Sequence, residues 1–200
     1  MTKIIRSCAA IAILLVAAGT LSAAEEVAAP VYRDGDYWQF RLGKKPVEAE
    51  VKDGKLKFFD PKPDRKTEIP AARVSALKIM VAVEKDDKEF LKFPLFVWKQ
   101  WESEYQQVVK GKAITRSISA RSNVTGIEDL VTPAGTLRAF KIARTETLSP
   151  HGLQTTSGRG VQRSHTYFYS PESRSLVIYS FEGPGGREME IELLKFGSRP

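Results

Sequence analysis

The chain has 200 residues, with 31 Lys and Arg against 24 Asp and Glu, and a formal net charge of +7. That length suits one domain with its own core, and a 42% share of hydrophobic residues can fill it. A single cysteine, Cys8, excludes disulfides within the chain and a zinc–thiolate site. The basic residues are scattered, and Asp64 interrupts KPDRK at 62–66, so no stripe of Arg and Lys interleaved with aromatics marks a nucleic-acid partner.

The chain opens MTKIIRSCAAIAILLVAAGTLSAAEEV, with Lys3 and Arg6 ahead of an apolar run from Cys8 to Gly19 and small residues at Ser22, Ala23 and Ala24. This order predicts a secretory signal peptide over residues 1–23, cleaved after Ala23 or Ala24. The apolar run falls short of the roughly 20 residues of a membrane-spanning helix. Cys8 stands at the start of that run, not at the cleavage point where a lipid anchor would attach. The expected mature chain is periplasmic, carries no integral membrane segment, and keeps a charge of +5 once Lys3 and Arg6 are removed. Residues 24–33 read as a lead-in, and 34–197 as a single β domain.

From Asp36 the pattern alternates. In DYWQFRL, Trp38, Phe40 and Leu42 share one face, which predicts a half-buried strand. VEAEV and LKF follow with the same period around Asp53-Gly54, a pair suited to a type I′ hairpin because that turn needs positive φ at both positions. DPKPDRKTEIP, residues 60–70, carries three prolines and reads as an exposed loop. Val74, Leu77, Ile79, Val81 and Val83 suit a strand after Ala76, with a helical turn over 71–77 as the alternative. EKDDKE, residues 84–89, reads as a turn leading into Phe90–Phe93.

Alternation resumes in WKQWESEYQQVV and AITRSISARSNVTGIEDLV. Val124–Val131 and Thr136–Thr145 flank Pro133-Ala134-Gly135. Pro133 presets φ for a turn, and Gly135 supplies the left-handed residue that closes a three-residue hairpin. QRSHTYFYS, SLVIYSF and REMEIELLKF give three last strands, with GPGG at 183–186 as a turn. Strands recurring about every 8 to 14 residues, with no long helical period, predict an all-β fold. The expected form is a curved antiparallel sheet built of hairpins, as a half-barrel, a barrel or a sandwich, with little helix.

Four stretches in order, FPLFVWKQW (93–101), VTPAGTLRAFKI (131–142), HTYFYSPE (165–172) and EIELLKF (190–196), carry a resemblance. They resemble a family of secreted bacterial proteins of unknown function. Its members show Phe-Pro-Leu-x-Val-Gly-x-x-Trp, Val-Pro-Ala-Gly-x-Phe-x-Ala-x-Lys-Ile and Tyr-Ser-Pro-Glu, then a final Glu-Leu strand. Trp98 stands where the family carries glycine, and Thr132-Pro133 replaces Val-Pro. The resemblance implies an envelope-located β fold similar to the curved half-barrels of periplasmic lipoprotein carriers, and it implies no reaction.

No catalytic, metal or cofactor set emerges from the residues themselves. His151 lies in a loop and His165 shares a strand face with Tyr167 and Tyr169, without acidic partners at ligand spacing. No Gly-x-Ser-x-Gly elbow is present, and SGRG at 157–160 lacks the strand and helix of a phosphate loop. The alternating Glu188, Glu190 and Glu192 read as a solvated strand face. The aromatic residues remain: Trp38, Phe40, Trp101, Tyr167 and Tyr169 are the candidate ligand-binding set on the concave side of the sheet. The expectation is a non-enzymatic periplasmic protein that binds an apolar ligand, an acyl chain or a peptide, or an envelope protein. A structural or interaction module of the envelope is the alternative, with a hydrolase behind both.

Overall fold

A computed structural model describes residues 25–62, 65–68, 77–81, 89–108, 115–149, 161–183 and 185–200. The predicted signal segment, His151, the SGRG stretch and most of EKDDKE lie outside the described residues. Ten strands form: β1 (Asp36–Leu42), β2 (Lys45–Lys52), β3 (Lys55–Lys62), β4 (Arg65–Glu68), β5 (Gln100–Val108), β6 (Thr115–Thr132), β7 (Gly135–Ser149), β8 (Val161–Ser170), β9 (Ser175–Gly183) and β10 (Gly186–Ser198). They make one sheet in the order β4-β3-β2-β1-β10-β9-β8-β7-β6-β5, and every pairing is antiparallel. The all-β expectation holds, in the open form, because β4 and β5 are edges that do not meet. The sheet is nonetheless rolled, since β6 and β10 touch although three strands separate them.

Period two explains the roll's inner face. Trp38 and Phe40 on β1, Val47, Ala49 and Val51 on β2, and Ile191 and Leu193 on β10 are all buried. The turns follow local chemistry: Asp53 and Gly54 have φ of 55° and 67°, the two positive values that a type I′ hairpin requires. At the β6–β7 corner Pro133 and Ala134 turn the chain, the Ala134 amide donates to Thr132 Oγ1 at 3.2 Å, and Gly135 has φ of 114°. β6 bends where its register with β7 shifts between Val124 and Gly126, a bulge that increases twist.

Three readings of the sequence need correction. The proline-rich stretch is not all loop: Pro61 ends β3 opposite Lys66, and β4 is a short edge strand. A proline in the last two residues of a strand removes one donor at the end of a ladder and leaves the rest intact. Second, Leu77–Val81 is a helical turn rather than a strand. Leu77, Met80 and Val81 are buried while Lys78 is exposed, the i, i+3, i+4 spacing of a helix. Third, the approach to β5 is an irregular strap, Glu89–Lys99, that crosses the inner face. Its Leu95 forms an isolated antiparallel bridge with Val27, so residues 25–33 are docked on the domain.

Candidate functional site

The inner face of the rolled sheet is where side chains converge, and all five candidate aromatics lie there. Trp38, Phe40, Trp101, Tyr167 and Tyr169 are each at most 5% exposed and belong to one apolar cluster. Three donate their polar atoms to backbone carbonyls. Trp38 Nε1 bonds Ser173 O at 2.7 Å, Trp101 Nε1 bonds Glu89 O at 2.7 Å, and the Tyr167 hydroxyl bonds Phe90 O at 2.6 Å. Tyr169 meets Phe93 edge-on at 5.2 Å, and Trp38 meets Tyr32 at 5.5 Å.

The strap therefore occupies the concavity. Phe90 sits at its centre, with edge-on contacts to His165 (5.8 Å), Tyr167 (6.0 Å) and Tyr179 (6.2 Å), and with the Arg144 guanidinium 4.5 Å above its ring. Three side chains that project from the sheet hold the strap through two carbonyls. Glu89 O accepts from Trp101 and from Arg144 Nη1 (3.3 Å), and Phe90 O accepts from Tyr167.

Beside Phe90 the same face turns polar. Arg144 and Glu146 alternate with Ile142 and Leu148 along β7, which aims all four inward. Arg144 Nε lies 3.1 Å from Glu146 Oε1, and its other nitrogens reach Ser122 Oγ and Ser103 Oγ at 3.3 Å. The Tyr105 hydroxyl donates to the same Glu146 oxygen at 2.6 Å. On β8, His165 turns Nδ1 to the Tyr179 hydroxyl at 2.9 Å, while its Nε2 lies 3.1 Å from Glu146 Oε2 without a hydrogen bond.

Burial alone would raise the Glu146 pKa. The contacts from His165 and Tyr105 and the charge of Arg144 outweigh it and bring the carboxyl down to about 2, so Glu146 stays a carboxylate. Burial pushes the phenols of Tyr105 and Tyr179 well above their ordinary value, and the carboxylate beside them pushes the same way, so both remain protonated donors. Every charge at this cluster's centre has a partner, which is what keeps ionised side chains tolerable out of water.

A cavity of about 180 Å³ opens between the cluster and Phe90. Ile79, Phe90 and Phe181 give it apolar walls, and Tyr105, Gln107, Glu146, Arg163, His165 and Tyr179 give it polar ones. Among the described residues no group of His, Cys, Asp or Glu could hold a metal ion, and no helix is long and apolar enough to cross a membrane. Sequence reasoning placed His165 beside the tyrosines but missed Arg144, Glu146 and Arg163. Counting by twos from Ile142 to Leu148 finds the first two.

No protein-family profile matches the chain, and no curated protein matches its sequence. Two solved structures are similar. A protein from Parabacteroides distasonis described as a lipoprotein covers 86% of this chain and 100% of its own, with a TM-score of 0.51 at 11% identity. The hypothetical lipoprotein YmcC of Escherichia coli covers 82% of this chain and 85% of its own, with a TM-score of 0.42 at 12% identity. The first is a likeness of fold.

Proposed function

We propose that this protein is a non-enzymatic, exported envelope protein whose concave face binds an apolar ligand, an acyl chain or an apolar peptide, once the Glu89–Leu95 strap moves aside. The observation that carries this reading is the way the concavity is filled. Its central occupant is one side chain, Phe90, on the Glu89–Leu95 part of the strap, which side chains of the sheet hold through two carbonyls and which adds one backbone bridge to Val27. Such an element has few backbone bonds to break, so it belongs to the parts of a fold that open first. Trp38, Phe40, Trp101, Tyr167 and Tyr169 would then line the floor of the opened site. A mostly apolar concave surface with a few fixed polar groups is what small-ligand sites generally look like. The description of a similarly folded protein as a lipoprotein supports an envelope setting, and the residue 1–23 pattern supports export.

Fluorescence of the neutral dye N-phenyl-1-naphthylamine with the mature protein tests the reading. Wild type is expected to enhance the dye, and Phe90→Ala to enhance it further by vacating the centre of the face. A folded Phe90→Ala protein and a wild type that both leave the dye dark would sink the proposal.

A second reading has its own observation. The outer side of β5 has no neighbouring strand among the described residues, so it could pair with a strand of an envelope partner. Capture of one partner protein, abolished by a proline at Glu104, would favour that interaction module.

A further inference from the structure

We infer that the cavity beside Phe90 receives the anionic head of the ligand, so that the protein selects aliphatic carboxylates over neutral chains of the same length. The inference rests on the apolar-ligand reading above and specifies its chemistry.

The argument starts from a charge count at the cavity. Glu146 is answered by Arg144 at 3.1 Å and by the Tyr105 hydroxyl at 2.6 Å, with His165 Nε2 lying 3.1 Å from its second oxygen. Arg163 is the second guanidinium on this face and also lines the cavity. Its strand position is directly opposite Glu146 in the β7–β8 register, yet the Glu146 carboxylate is turned to the other three groups. Arg163 Nε is buried with no hydrogen-bond partner, and no ion pair forms between Arg163 and any described residue. What the guanidinium does touch is the face of Phe181, 5.5 Å away. The lining holds one carboxylate, Glu146, beside Arg163, but Arg144 from behind the cavity already answers Glu146, so the Arg163 charge is left without a counter-ion and its Nε without an acceptor.

A buried donor without an acceptor is a standing cost that a ligand acceptor removes. A planar carboxylate fits the fork of a guanidinium, which offers parallel donors. Size and polarity agree. About 180 Å³ is the volume of roughly six waters at about 30 Å³ each, room for a head group and its first methylenes. Ile79, Phe90 and Phe181 would flank those methylenes. Gln107 supplies a further amide donor at the polar wall. The remainder of the tail would lie along the aromatic floor where the strap now rests.

Displacement of N-phenyl-1-naphthylamine by decanoate and by decanol separates head from tail. Decanoate is expected to displace the dye at roughly tenfold lower concentration than decanol. Arg163→Gln should erase that preference and leave decanol unchanged, while Arg163→Lys, which keeps the charge without the fork, should retain part of it. Equal potency of decanoate and decanol on wild type would overturn the inference, and so would an undiminished decanoate preference in a folded Arg163→Gln protein. Displacement by acetate at the same concentration as decanoate would reduce the site to a bare anion site and overturn it as well. In each of these cases dye binding persists and the apolar-ligand reading survives. A dye left dark by both the wild type and a folded Phe90→Ala protein is the separate result that removes both readings.

Discussion

At the β1–β3 end of the inner face, Trp38, Phe40, Val47, Ala49 and Phe58 pack as an apolar block, with one ion pair, Asp36–Arg174, at its margin. The Trp38 indole is satisfied by one carbonyl. At the β5–β8 end, the same face of the same sheet buries Arg144, Glu146 and His165 behind Ser103 and Ser122. Both ends exclude water, but by different physics. The first gains from apolar area removed from water and tolerates imperfect partners. The second has paid the desolvation of charges and depends on each partner being in place. The cavity lies at the second end, beside Arg163, and none of the cavity's described lining comes from β1, β2 or β3.

Paired substitutions break the comparison most strongly. Trp38→Ala and Arg144→Ala should each cost about 3–5 kcal/mol in denaturant melts, the first by a cavity and the second by stranding Glu146. The rescue differs. Arg144→Met combined with Glu146→Leu should recover most of the loss, because an apolar replacement of a whole buried pair is often neutral. If the double variant is as unstable as Arg144→Ala, the cluster is contributing more than its own pairing.

Acid sharpens the contrast at a smaller scale. The Glu146 carboxyl has its folded pKa lowered from 4.5 to about 2, so its stabilising contribution is complete above about pH 4.5 and disappears as pH falls toward 2. The contribution is on the order of 3 kcal/mol at neutral pH. Glu146→Gln should flatten that acid limb in stability measured from pH 6 to pH 2. Asp36, at the other end, also has a lowered pKa. Burial opposes the shift, and the bidentate pair with Arg174 at 2.7 and 2.8 Å overcomes it. Asp36→Asn should therefore remove a separate part of the same limb, and the two effects should add. Parallel acid limbs in wild type and both variants would refute these assignments.

The smallest effects test corners outside both regions. Trp98 has φ of 72° and is 73% exposed, held there by its amide bond to Val124 O at 2.9 Å. Trp98→Gly should stabilise the protein by up to about 1 kcal/mol by relieving a left-handed side chain, whereas Gly135→Val should destabilise by about 1–2 kcal/mol. Thermal melts that moved the same way for both would contradict the backbone account.

The fold was largely legible because its strands obey period two and its hairpins carry the residues that their turns demand. Two kinds of information were hidden. Leu77, Met80 and Val81 form too short a run for periodicity to separate helix from strand, and burial against the sheet decided it. The strap was hidden for a related reason: EKDDKE reads as a turn leading into Phe90–Phe93, while the Glu89 and Phe90 carbonyls are claimed by Trp101, Arg144 and Tyr167 from β5, β7 and β8. At the site, the aromatic residues announced themselves by type. Arg144 and Glu146 did not, since charged residues on a strand are ordinarily read as its wet side, and only the parity set by Ile142 and Leu148 places them inside.

The pairing of β1 with β10 sets an order on how the molecule is made. Asp36 lies opposite Ser198, so β1 must wait for β10 before its second neighbour exists. Until then β1 to β4 can form a four-stranded ribbon and β5 to β9 a second one, and the two share no ladder. Contacts of such large sequence separation form late and slowly. The β1–β10 seam therefore works as a latch: the two ribbons become one sheet only when that single pairing closes.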